Sequence, residues 1–106
     1  MPTDRSLDVL VGLNVVDEDL YARYRAGMMP ILERYRGLFR HDFRIAEVLR
    51  SEVSHPVNRL FVISFPDAET RDAFFESDEY LDVRREFFEP AVEGATILAT
   101  YHTPED

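Results

Sequence analysis

Residues Leu60-Phe61-Val62-Ile63-Ser64-Phe65 are apolar on both parities, with Ser64 the one polar side chain among them. A strand with one wet face alternates, and this run does not. Its length and its β-branched and aromatic content favour a strand over a buried helix segment. A strand of this kind must be covered on both faces, so the chain needs a layer on each side of a sheet. The residues after it are equally specific. Pro66 has no N–H for a ladder and ends the strand. Asp67 can cap a helix by accepting from an orphan N–H, and Glu69 falls in the first turn, where the helix dipole favours a negative charge. Ala68, Phe74 and Phe75 give that helix an apolar side. Ser77-Asp78-Glu79 reads as a fresh cap, after which Tyr80, Leu81, Arg84 and Phe88 recur at helical spacing. Pro90 and Gly94 close the segment.

The rest of the chain supplies the partners. Leu7, Val9, Val11, Leu13 and Val15 form an odd-numbered apolar row, a first strand. Asp17-Glu18-Asp19 opens a helix whose stripe is Leu20, Tyr24, Met28, Ile31 and Tyr35. Pro30 predicts a kink within it, and Gly37 a left-handed cap at its end. A second strand spans 39–49, with Phe39, Phe43, Ile45 and Leu49 sharing the parity of His41 against Arg40, Asp42, Arg44 and Arg50. Ala46-Glu47-Val48 breaks the alternation and predicts a bulge there. Ser51 to Val57 is a loop, with His55 held extended by Pro56. Ala95 to His102 is a last strand, setting Ile97 and Tyr101 against Leu98 and His102. Met1 to Ser6 reads as a polar lead-in and Thr103 to Asp106 as a frayed tail.

The element order is strand, helix, strand, strand, helix, strand. This is the ferredoxin-like βαββαβ arrangement, an α+β fold with a four-stranded antiparallel sheet and two helices on one face. One domain over 1–106, with its core at about 7–102, accounts for the whole chain. Two helices cover one face only, whereas the third strand is apolar on both. The uncovered face predicts a homodimer, sheet against sheet, which is a dimeric α/β barrel.

Composition narrows function. The chain is acidic, with a formal charge of −9, and all 12 basic residues are arginine. Nucleic acid and anionic membranes repel such a chain, so neither is expected as a partner. The absence of cysteine removes disulfides, thiolate metal sites and thiol catalysis. Leu7 to Val16 is interrupted by Asp8 and Asn14 and is too short to span a bilayer, so a cytoplasmic protein is expected. The stretch Leu60 to Phe65 superficially resembles an RNA-recognition strand. It lacks the exposed aromatics two apart and the basic residue and glycine that such a strand needs.

A set of motifs resembles a known family. They are Leu20-Tyr21, Tyr24, Pro30, Tyr35-Arg36-Gly37, Phe65-Pro66, Phe74-Phe75, and Ser77-Asp78-Glu79-Tyr80 followed by Arg84 and Arg85. Together they resemble the domain-of-unknown-function family numbered 1330, over residues of about 7 to 100. The resemblance implies the dimeric α/β barrel superfamily. That superfamily includes cofactor-independent monooxygenases of antibiotic synthesis, haem-degrading enzymes, muconolactone isomerase and stress-responsive proteins. Two features depart from the family pattern. Arg36-Gly37 stands where a Gly-Gly pair is usual, and Arg50-Ser51 stands near the place of a Glu-Gly.

Several residues are candidates for a site. His41 carries an imidazole, a side chain suited to proton transfer, so it is the first candidate for a catalytic base; its plainer role is a half-buried histidine bonded to the backbone. Tyr24, Phe39, Tyr80 and Arg84 are candidates to line a ligand site. Tyr24 brings a hydroxyl to a core stripe, and Arg84 lies four residues from Tyr80, suited to a carboxylate or enolate. The plainer reading makes Tyr24 a core aromatic and Tyr80-Arg84-Arg85 a solvated face paired with Asp82, Glu86 and Glu89. His41, His55 and His102 show no metal-ligand spacing, and no glycine-rich phosphate loop or nucleophile motif occurs, so neither metal nor cofactor is expected. The expected function is to bind or transform a small apolar or anionic metabolite without a cofactor, in the manner of a monooxygenase or isomerase. The alternative is a non-catalytic dimeric module.

Overall fold

The strand that carries the double-sided apolar run is an inner strand of the computed structural model, with a neighbour along each edge. The structure describes residues 5–104; residues 1–4 and 105–106 of the expected lead-in and tail lie outside them. Strand β3 (Arg59–Phe65) sits between β2 (Leu38–Arg44) and β1 (Arg5–Val15), and β4 (Val92–Pro104) pairs with the other edge of β1. All three pairings are antiparallel. Phe61 through Phe65 are all buried.

Helix α1 (Glu18–Arg34) crosses one face, capped by Asp17, whose Oδ1 accepts from the Leu20 N–H at 3.0 Å. It buries Tyr21, Tyr24, Met28, Ile31 and Leu32 and runs on through Pro30. The buried stripe is shifted from the expected one: Leu20 and Tyr35 are only half-buried, and Tyr21 and Leu32 hold the deep positions. The helix ends by two bonds, Arg36 N–H to Glu33 O at 3.0 Å and Gly37 N–H to Leu32 O at 2.9 Å. The left-handed residue is Arg36, at φ 61°, and not the expected Gly37. Gly37 answers a different need, because a Cβ there would collide with the Leu32 side chain and press on the Phe65 ring.

Helix α2 (Ala68–Glu76) starts at Asp67, whose carboxylate accepts from Thr70 N–H at 2.7 Å. Ser77 ends α2 and begins α3 (Asp78–Val83). Its hydroxyl donates to Phe74 O at 2.9 Å and accepts from Tyr80 N–H at 3.2 Å. A wide π turn (Arg84–Phe88) and a short closing helix, α4 (Glu89–Ala91), lead into β4.

Pairing irregularities overturn two parity expectations. In β2, Phe39 opposes Ile63 but His41 opposes Val62, so Arg40 is an extra residue and the strand changes face there. Phe39 therefore faces the helices, while His41 and Phe43 face away, their rings stacked with centroids 5.8 Å apart. The irregularity lies at Arg40 and not near Val48, and the strand ends at Arg44. In β4, Leu98 is the extra residue, so Ile97 lies on the helix side and Tyr101 on the other. The ladder also takes in Ser6 and Thr103, which the sequence pattern places in the lead-in and tail.

Two polar devices hold the sheet. The Asn58 side chain accepts from Val15 N–H and donates to Val15 O, both at 2.8 Å, imitating a strand partner where β1 outruns β3. On the face away from the helices, Asp8 is 1% exposed and accepts from the Ser6 hydroxyl at 3.0 Å and from Thr103. Arg40 Nε lies 3.4 Å from the same carboxylate. Burial alone would raise the Asp8 pKa; the hydroxyls of Ser64, Thr103 and Ser6 and the Arg40 charge outweigh it and hold the carboxyl below its ordinary value. Around this cluster the open face is apolar. Leu38, Phe43, Leu98 and Tyr101 remain 41–51% exposed upon it.

Candidate ligand cavity

Between the helices and the sheet lies a cavity of about 390 Å³. Its sheet side is apolar, formed by Val9, Val11, Leu13, Phe61 and Ile63. Ala95, Ile97 and Thr100 of β4 also line it yet are exposed, so the mouth opens along that edge.

The polar groups come from the helices. Tyr24 of α1 and Tyr80 of α3 place their hydroxyl oxygens 2.9 Å apart. Arg84 Nη1 donates to the Tyr80 hydroxyl oxygen at 3.4 Å. Its guanidinium lies 4.6 Å from the Phe88 ring centroid, and its Nε is 4.0 Å from Glu89. Tyr80, Arg84 and Phe88 all line the cavity at successive spacings of four. In a regular helix eight residues would carry Phe88 about 80° around from Tyr80. The π turn, closed by Glu89 N–H to Arg84 O, takes up the excess and keeps all three on one wall. Burial, then the neighbouring Tyr80, holds the Tyr24 pKa well above the ordinary tyrosine value. Tyr24 is therefore a neutral hydrogen-bond donor at physiological pH and not a base.

Tyr24, Phe39, Tyr80 and Arg84 all line this cavity, Phe39 from strand β2 and the other three from the helical side. His41 is not among the lining residues: the extra residue at Arg40 turns it to the opposite face, where it is exposed. Arg71 of α2 also lines the cavity and is absent from the sequence-based set. Its signal is its position four residues before Phe75, on the same helical face.

Phe39 also borders a second, ionic cleft beside α1. The Arg25 guanidinium lies 3.7 Å from the Phe39 ring centroid and donates to Asp42 at 2.8 Å. Arg59 grips the same carboxylate with both ends of its fork, at 2.9 and 3.0 Å. Burial works against the Asp42 charge, but the bonds from Arg59 and Arg25 prevail and lower its pKa. His55 is used structurally, with Nδ1 donating to Pro56 O at 2.7 Å and Nε2 2.8 Å from the Thr96 hydroxyl. Among the described residues no three His, Cys, Asp or Glu side chains converge as metal ligands would, and no helix is long and apolar enough to cross a membrane.

The strand order and the single helix layer define a ferredoxin-like α+β protein, here with a cavity between its layers. Solved structures agree on the fold. A protein of unknown function from Rhodopseudomonas palustris is 13% identical with a TM-score of 0.75, over 96% of this chain and 83% of that one. A dabb family protein with a ferredoxin-like fold from Mesorhizobium loti is 14% identical with a TM-score of 0.62, over 93% and 95%. A protein described as dimeric and ferredoxin-like, from Bacteroides fragilis, is 7% identical with a TM-score of 0.59, over 94% and 96%. No curated protein matches the chain. Residues 9–101 match the model of the domain of unknown function DUF1330, and the chain belongs to that family.

Proposed function

We propose that the cavity binds a small, largely apolar molecule bearing an oxygen-centred anion or an enolisable carbonyl and stabilises its enolate or phenolate form, the proton passing to water at the open mouth and any cofactor-free oxidation drawing on dioxygen. The observation that carries this reading is the hydroxyl pair Tyr24–Tyr80, backed by Arg84, in a cavity whose remaining lining is apolar apart from Arg71 and two threonines of β4. Donors in a water-poor cavity act on a developing oxyanion more strongly than they do in water. Arg84 donates to the Tyr80 oxygen, and one hydroxyl of the pair donates to the other, which leaves the second hydroxyl proton for a ligand. A cavity of this volume suits a molecule of one or two rings.

The test is native mass spectrometry of the freshly purified protein, followed by titration with phenols and aromatic carboxylates monitored by NMR. Binding should shift the Tyr24 and Tyr80 ring signals and weaken in Arg84→Gln and Tyr80→Phe. A wild-type protein that binds none of the panel, or variants that bind it equally well, would overturn the reading and leave a non-catalytic module.

The same reading includes a homodimer through the open sheet face. Leu38, Phe43, Leu98 and Tyr101 form its apolar rim, and a second copy of that sheet is the self-complementary cover a two-fold axis supplies. Phe43→Asp should convert a dimer into monomers in the same mass spectrum; a wild-type monomer would remove this part of the proposal.

A further inference from the structure

The cavity wall carries charge of one sign only. Among the described residues its charged members are Arg71 and Arg84, and no Asp or Glu lines it. This occurs in a chain whose formal charge is −9, so the bias is local and opposed to the average.

The two arginines stand at the ends of a row. Arg71 lies four residues before Phe75 on α2, so the two share a helical face. The Phe75 ring meets Tyr80 edge-on, with centroids 5.3 Å apart. The Tyr80 oxygen in turn accepts from Arg84. The wall therefore reads cation, aromatic, aromatic, cation.

Both guanidiniums keep most of their donors. Arg71 uses Nε alone, on Asp72 at 3.0 Å, and that carboxylate is itself largely exposed. Among the described residues Arg84 has Glu89 at 4.0 Å, the long bond to Tyr80 and the face of the Phe88 ring 4.6 Å away, none of which uses its full fork. Exposed pairs of this kind are weak and readily exchanged for a better acceptor. An arginine fork matches one carboxylate-like group. Two such forks, separated by an apolar stretch and facing a cavity without acids, fit two anionic groups.

Resting on the reading of the cavity as an oxyanion site, we infer that the ligand is a dianion. It has an apolar ring or short chain as its body, one anionic group received by Arg84 and a second received by Arg71. Dicarboxylates, and carboxylates that also bear an enolate or phenolate oxygen, have this chemistry.

The test compares benzoate with the ortho, meta and para benzenedicarboxylates at neutral pH and constant ionic strength, by calorimetric titration of wild type, Arg71→Gln and Arg84→Gln. At least one dicarboxylate should bind about ten-fold tighter than benzoate, the gain expected of one added charge-assisted pair. That advantage should vanish in Arg71→Gln, while benzoate binding survives there and falls in Arg84→Gln. Dicarboxylates that bind no better than benzoate, or an advantage that persists without Arg71, would overturn the inference and leave the oxyanion site intact. Failure of every probe to bind wild type would remove both. Unchanged melting temperatures of the two variants exclude misfolding as the cause of any loss.

Discussion

Replacing Arg36 with glycine should stabilise this protein. Arg36 ends α1 at φ 61°, with its N–H bonded to Glu33 O and the next N–H to Leu32 O. That closure demands a left-handed residue, and Gly is the residue that adopts it without a Cβ penalty. An L side chain in this region costs about 1–2 kcal/mol. Glycine returns about 0.5–1 kcal/mol of this through the greater freedom of its unfolded chain. The net expectation is a gain of about 0.5–1 kcal/mol, or roughly 2–5 °C in Tm for a domain of this size. Arg36→Ala is the control: it removes the same charge and keeps the Cβ. Thermal and urea unfolding of wild type and both variants measures the effect. The reasoning is refuted if the glycine variant is no more stable than the alanine variant. One position further on the sign reverses. Gly37→Ala puts a methyl into the Leu32 side chain and against the Phe65 ring, and should cost about 1–3 kcal/mol by overpacking.

The polar devices in the sheet give two further outcomes. Asn58→Ala strands the Val15 N–H and C=O together, and should lower the urea-derived stability by about 1–3 kcal/mol; a loss within error would show that water replaces the side chain at no cost. Asp8 has a folded pKa below its ordinary 3.8. Its contribution is complete above that value, because there both states are ionised, and is lost as pH falls through the lower folded pKa, where the unfolded chain has already taken up the proton. Urea midpoints measured between about pH 5 and 2 should fall less steeply in Asp8→Asn than in wild type, and equal slopes would contradict the assignment.

Local features of the fold are legible in the sequence. The double-sided run at Leu60 to Phe65, the caps at Asp67 and Ser77 and the helical spacing of Tyr80, Arg84 and Phe88 depend on neighbours along the chain, and each stands in the structure. The ferredoxin-like order is built from them. Features that depend on pairing across strands are not legible in this way. One extra residue at Arg40 reverses the facing of everything after it in β2, and no local signal marks it, so simple parity puts His41 on the side of Phe39. Leu98 does the same for Ile97 and Tyr101. The left-handed Arg36 is hidden because a glycine stands next to it as the natural occupant of such a cap. Arg71 is hard to place because its position in a wall depends on the angle between α2 and α3.

One side chain ties the two helices together at that angle. The Ser77 hydroxyl donates to the last turn of one helix and caps the first turn of the next, so one oxygen atom, with the Phe74 and Phe75 rings packed on Tyr80, contributes to how Arg71 and Phe75 are aimed relative to Tyr80 and Arg84. The position lies outside the cavity lining. The shape of the cavity wall thus depends in part on a residue outside its lining. A lineage could retune what such a cavity accepts by altering the joint and leaving every wall residue as it is. Comparisons restricted to lining residues would then find two sites identical in composition and different in preference.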